Sequence, residues 1–102
     1  MIILKNEKVV ESVQDNSRYE YSYRLVKTDY RNMVAYGIEV ERMDFNDENL
    51  INIERECINK ISPVYNKVEN MVDLLYKYRV SPIHLVDVLG ETIDECVMDF
   101  PN

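Results

Sequence analysis

The chain changes period near its middle. Up to residue 57 the apolar positions recur every second residue; from residue 61 they recur at three and four. Alternation puts successive side chains on opposite faces of a strand, whereas spacing near 3.6 puts them on one side of a helix. Tyr19, Tyr21, Tyr23 and Leu25 form one such file, with Glu20, Ser22 and Arg24 between them. Val34, Tyr36, Ile38 and Val40 form a second, with Glu39 and Glu41 opposite. The turn-rich residues Thr28–Asn32 lie between, so these two runs predict a hairpin. After a second turn at Asp44–Asn49, Ile51, Ile53 and Cys57 continue the apolar file, and Arg55 interrupts it where the strand would reach the rim. At the N-terminus, Ile2-Ile3-Leu4, the polar Asn6-Glu7-Lys8 and Val9–Val13 suggest a further small hairpin, closed by a loop at Gln14–Arg18.

The second half opens twice in the same way, with Ile61-Ser62-Pro63 and Val80-Ser81-Pro82. Serine caps a helix by accepting from a free amide of the first turn. Proline suits the first helical position, where its missing N–H costs nothing. Val80 and Leu85 have the spacing of a hydrophobic staple. In the first helix Val64, Val68, Met71, Val72, Leu75 and Tyr78 share a face. In the second, Ile83, Val86, Leu89, Gly90, Ile93 and Val97 form the main stripe, widened by Leu85, Val88, Thr92 and Cys96. The pattern predicts one α+β domain over residues 1–102. An antiparallel β-meander of four to five strands, about residues 2–57, is followed by a helical hairpin, about 63–78 and 82–98, packed on one sheet face.

Composition adds three limits. With two Gly and three Pro, the 102-residue chain is not loop-rich or disordered. No apolar run approaches the ~18 residues of a membrane span, and the N-terminus has no secretory pattern, so the expected location is cytoplasmic. Cys57 and Cys96 then read as two reduced thiols rather than a disulfide.

Charge narrows the partners. The net charge is −7, and residues 80–102 supply −5 of it with no Lys or Arg. Residues 1–79 are nearly balanced, with 12 basic against 14 acidic residues. Nucleic-acid binding needs a basic patch that releases counterions, so an acidic chain of pI ≈ 4.6 favours a basic protein partner instead.

The candidate chemistry is concentrated in the second helix. At 100° per residue His84, Asp87, Glu91, Asp94 and Glu95 fall in one sector opposite the apolar stripe. His84, Asp87 and Glu91, at i, i+3 and i+7, are the weak metal candidates, since imidazole and two carboxylates suit zinc, iron or manganese. A lone histidine without a second His or Cys at ligand spacing makes a contact surface or a solvated face the simpler reading. Cys96 stands on another side of the helix from His84, and Cys57 could meet it only through tertiary packing. Asp44–Asn49 lacks the central Gly and distal Glu of a calcium loop. The Tyr19–Tyr21–Tyr23 row has no interleaved Lys or Arg that would let it hold phosphate, so it reads as core packing with hydroxyls at the rim. No phosphate loop, nucleophile elbow or Cys-x-x-Cys is present.

Several blocks of wording, Tyr23–Val26, Tyr36–Arg42, Asn52–Arg55, Ile61-Ser62, Leu74–Lys77 and above all Val80–Asp87, resemble a family of short, uncharacterised clostridial proteins known as a domain of unknown function. The resemblance covers about residues 19–97 and implies a small cytoplasmic protein of an anaerobic, Gram-positive bacterium. It carries over no catalytic, cofactor or binding residue. The sequence thus predicts a non-enzymatic regulatory or adaptor domain that binds a protein through His84, Asp87, Glu91, Asp94 and Glu95, with no cofactor. The alternatives are a metal-dependent enzyme or sensor centred on His84, and a homodimeric structural module using a sheet edge or a Met71–Val72 patch.

Overall fold

The computed structural model describes residues 1–101. Four antiparallel strands, β1 (Ile2–Ser12), β2 (Ser17–Tyr30), β3 (Met33–Asn46) and β4 (Asn49–Ser62), form a meander in the order β1-β2-β3-β4. Helix α1 (Tyr65–Tyr78), a 3₁₀ turn (Pro82–His84) and helix α2 (Leu85–Val97) follow. The architecture is the predicted α+β meander with a helical hairpin on one face.

The N-terminal hairpin does not form. Residues 2–12 are one strand, and Asn6, Glu7 and Lys8 pair with Arg24, Tyr23 and Ser22 of β2. A short hairpin would satisfy few backbone groups, whereas β2 offers a partner along the whole strand. The register slips once, between Ile3 and Lys5.

The turns are built without glycine. Asp15–Asn16, Arg31–Asn32 and Asp47–Glu48 all have φ between 49° and 70°. Two such residues in succession match the twist of a hairpin, and Asn and Asp tolerate the left-handed region best. Arg31 and Glu48 take it without that advantage. At the far end of the sheet two turns touch, with the Asp47 amide donating to the Asn16 carbonyl at 3.2 Å.

Tyr21, Tyr23, Leu25, Ile38, Val40 and Ile61 project from the sheet into the core. Val68, Met71, Val72 and Leu75 of α1 and Leu85, Leu89, Ile93 and Cys96 of α2 meet them. Tyr21 and Tyr23 stack with ring centroids 6.0 Å apart, and the buried Tyr23 hydroxyl donates to the Val80 carbonyl at 3.0 Å. That bond ties the middle of the sheet to the link between the helices. Met71 and Val72 are buried, so the expected Met71–Val72 patch is not available to a second copy.

β4 departs from the predicted face. Ile53, Arg55 and Cys57 pair with Met43, Glu41 and Glu39, on the side of the sheet away from the helices. Arg55 is therefore mid-strand, not at the rim. Ile51 is an extra residue at a slip beside Asp44 and Phe45, and stays 65% exposed. A second, larger irregularity lies between Ile58 and Ser62, opposite Gly37. A Cβ on Gly37 would run into the Ile58 carbonyl oxygen and come within 2.5 Å of the Asn59 carbonyl, so only glycine lets β4 cross there. The bulge brings Ile61 and Ser62 inside.

The helix starts shift by a few residues. Val64, not Ser62, caps α1, and the Ser62 hydroxyl accepts from the Val64 amide at 3.0 Å, one step outside the helix. Pro82 does open a helical turn, but of 3₁₀ type. Arg79 ends α1 in the left-handed conformation, and its N–H returns to the Leu75 and Tyr76 carbonyls. Val80 and Leu85 are both in the core, as the staple requires.

Candidate functional site

The strands are longer than the helices. Fourteen residues extend ~46 Å as a strand but only ~21 Å as a helix, and the molecule measures 52 Å along its major axis. Beyond Tyr21 the helix-facing side turns polar. Arg42 pairs with Asp44 at 2.8 Å and Glu54 at 3.3 Å and lies over the Tyr19 ring, and Asn52 donates to Asp44 at 3.1 Å. On the opposite face of the same end, Arg18 reaches Glu20 at 3.0 Å and stacks on Phe45. Ion pairs replace helix packing at this end.

The sheet face away from the helices is also charged, and its acids Glu20, Glu39 and Glu41 are matched by arginines. Arg24 donates to Glu39 at 2.5 Å and to Glu41 at 3.1 Å. Arg55, across the ladder, donates to the other Glu41 oxygen. Glu41 is 5% exposed. Burial pushes its carboxyl up, but the hydrogen bonds from Arg55 and Arg24 outweigh that and hold it below the usual carboxylate range. Sequence reading missed this cluster. Its signal was present in the alternation of Arg24, Glu39, Glu41 and Arg55, but only the β4 register shows that they meet.

Helix α2 presents the opposite case. Its buried stripe is Leu85, Leu89, Ile93 and Cys96. Ile83, Val86 and Val97, expected inside, are 67%, 59% and 45% exposed. The intervening 3₁₀ turn has 3.0 residues per turn, which resets the phase between Pro82 and Leu85. Apolar residues flank the stripe on both sides, and the helix turns inward on the set that includes Leu85.

The five predicted contact residues, His84, Asp87, Glu91, Asp94 and Glu95, are all exposed; the first four lie opposite that stripe, whereas Glu95 lines the groove toward α1 together with Lys67. His84 Nδ1 is 3.6 Å from Asp87 Oδ2. Among the described residues no Lys or Arg lies within 4.0 Å of Asp87, Glu91, Asp94 or Glu95. Arg79, the nearest cation in sequence, reaches Glu11 at 3.9 Å, and Lys67 of α1 pairs with Asp99 at 2.6 Å. Among the described residues no three His, Cys, Asp or Glu side chains gather closely enough to hold a metal ion, so His84, Asp87 and Glu91 do not converge as a ligand set.

The thiols are unpaired. Cys96 is buried, and Cys57 is half-buried, 2.8 Å from the Asn59 amide oxygen. Burial pushes both thiols up, away from the reactive thiolate. A groove of about 430 Å³ runs between the helices, lined by Lys67, Met71, Leu74, Leu89, Thr92 and Cys96. Among the described residues no helix is long and apolar enough to cross a membrane.

A family model described as "Family of unknown function (DUF6514)" matches residues 1–95. The match takes in β1, which the sequence resemblance had left outside. No curated protein and no solved structure matches the chain. The chain belongs to this family of unknown function.

Proposed function

We propose that this member of the family is a non-enzymatic regulatory or adaptor domain, and that the outer face of α2 docks a basic surface of another protein. The observation that carries the reading is the unmatched charge. Glu39, Glu41, Asp44 and Glu54 of the sheet each have an arginine partner. Asp87, Glu91, Asp94 and Glu95 are exposed, and among the described residues no lysine or arginine lies within 4.0 Å of them. A row of four acids on one helix repels itself and gains nothing for the fold. It steers a cationic partner toward the helix and selects against like-charged surfaces. Two unpaired cysteines suit a reducing compartment, so we place the domain in the cytoplasm, and the Val80–Asp87 block points to a clostridial cell.

The test compares two variants of equal net charge. Asp87→Lys/Asp94→Lys reverses the α2 face, and Asp15→Lys/Asp29→Lys reverses two acids elsewhere. With labelled octalysine as the probe, the first variant is expected to lose about tenfold in affinity, or ~1.4 kcal/mol, and the second much less. Equal losses would reduce the α2 face to general electrostatics and sink the reading.

A further inference from the structure

Beside the acids, α2 carries an apolar flank that the fold leaves open. Ile83, Val86 and Val97 are exposed, and Gly90 stands between Val86 and Val97. Taking Leu85 as zero, Val86, Val97 and Gly90 lie at about 100–140° around the helix, whereas Thr92 and Glu95 lie on the other side of the buried stripe, at about 280–340°. Thr92 and Glu95 line the groove against α1. The open flank therefore turns away from α1. Since α1 spreads over β1, β2, β3 and β4 while α2 packs on the edge strand β4, this flank overhangs the sheet's edge.

Gly90 sits in the same flank. Glycine is disfavoured inside a helix because it gives up the most backbone freedom on folding. Where a fold needs it, a Cβ would clash, as at Gly37. At Gly90 an added Cβ would meet only Val86 Cγ1, at an ordinary 3.7 Å. Nothing within the domain requires this glycine. It leaves a notch in the middle of the flank, level with the acids.

We infer that the flank of Ile83, Val86, Gly90 and Val97, together with Asp87 and Asp94 beside it, seats a cationic amphipathic helix of a partner protein. The inference rests on the reading of α2 as the binding face and names the element that binds. Charge selects the occupant. A second copy brought onto this flank would set Asp87 and Asp94 against their own equivalents, and like charges repel. A helix with apolar residues on one side and Lys or Arg along its margin satisfies both halves of the surface. The glycine notch lets two helix axes approach closely, as small residues do wherever helices pack tightly. A strand is the poorer fit, because β4 beneath α2 is irregular between Ile58 and Ser62 and offers no even ladder.

The experiment uses the full chain and two labelled peptides of about 18 residues, long enough to hold a helix. One has Leu and Lys at helical spacing; the other has the same composition scrambled. The amphipathic peptide is expected to bind about tenfold more tightly, to shift the amides of Val86, Gly90 and Val97, and to lose its advantage in Gly90→Leu. Gly90→Ala, which fits without rearrangement, is expected to raise the melting temperature while weakening the peptide. Equal binding of both peptides, abolished by Asp87→Lys/Asp94→Lys, would overturn the helix-seating inference and leave the acidic-face reading standing. Binding of neither would overturn both. Shifts confined to Leu74 and Thr92 would move the ligand into the interhelical groove and overturn the inference. Self-association that Gly90→Leu disperses would give the flank to a second copy and overturn it as well.

Discussion

Two acidic surfaces of this domain are treated in opposite ways. On the sheet face away from the helices, Glu39 and Glu41 are held by Arg24 and Arg55, and Glu41 is almost out of solvent. On α2, Asp87, Glu91, Asp94 and Glu95 stand exposed, and among the described residues none has an arginine or lysine within 4.0 Å. The first set is scaffold: remove Arg24, and the half-buried Glu39 loses its cation. The second set contributes nothing that the fold would miss. Charge that a structure has already neutralised is unavailable to a partner, and charge that it has left open is where a partner can act.

The largest effect should come from breaking the closed set. Glu41→Ala is expected to cost about 2–3 kcal/mol, since it removes the charge-assisted hydrogen bonds from Arg24 and Arg55 and leaves Arg24 held by Glu39 alone. Chemical denaturation measures it directly, and a loss below that of an ordinary surface substitution would show that the cluster is not scaffold. Glu41 also gives the pH dependence its sign. Its folded carboxyl lies below its unfolded value, so its contribution is complete above the unfolded value of 4.5 and is lost as the pH falls through the folded one. Melting curves below that pH should fall more steeply for the natural chain than for Glu41→Gln.

A smaller loss belongs to the tie between sheet and helices. Tyr23→Phe keeps the ring but leaves the buried Val80 carbonyl without its donor, and about 1–1.5 kcal/mol should go. Smaller again, and of opposite sign, is Gly90→Ala: about 0.5–1 kcal/mol of added stability, read as a rise of a few degrees in melting temperature. The smallest effect is expected on the open set. Asp87→Asn/Asp94→Asn should change stability by no more than about 0.5 kcal/mol. A large loss there would mean that the α2 acids are structural after all, and the contrast between the two surfaces would collapse.

The sequence was most legible where a local rule acted without competition. The alternation through Tyr19–Leu25 and Val34–Val40 fixes which faces of the two central strands meet the helices, although Ser22, Val26, Ala35 and Glu41 on the other face are buried as well. The Ser-Pro pairs mark both helical starts to within three residues. Legibility failed at the edges. β1 hid its continuity behind Asn6-Glu7-Lys8, since an edge strand can carry polar residues that look like a turn. β4 changes phase at Ile51 and again before Ile61, and a period-two reading cannot survive an inserted residue. The three hairpin turns do fall inside the expected segments Gln14–Arg18, Thr28–Asn32 and Asp44–Asn49, but without a glycine their ends were not marked. In α2 the acidic sector was readable, but the buried stripe was not, because apolar residues surround most of the remaining helix and the 3₁₀ turn alters the phase. The exposed flank and the notch at Gly90 follow from that one difference.

The most direct measurement is an amide chemical-shift map of the labelled full chain titrated with the cationic amphipathic peptide. Shifts gathered over residues 84–97, with Arg24, Glu39, Glu41 and Arg55 unmoved, are the predicted result. Shifts centred on the Arg24–Glu41–Arg55 face, or spread evenly over both surfaces, would contradict the division of the molecule into a closed scaffold and an open binding helix.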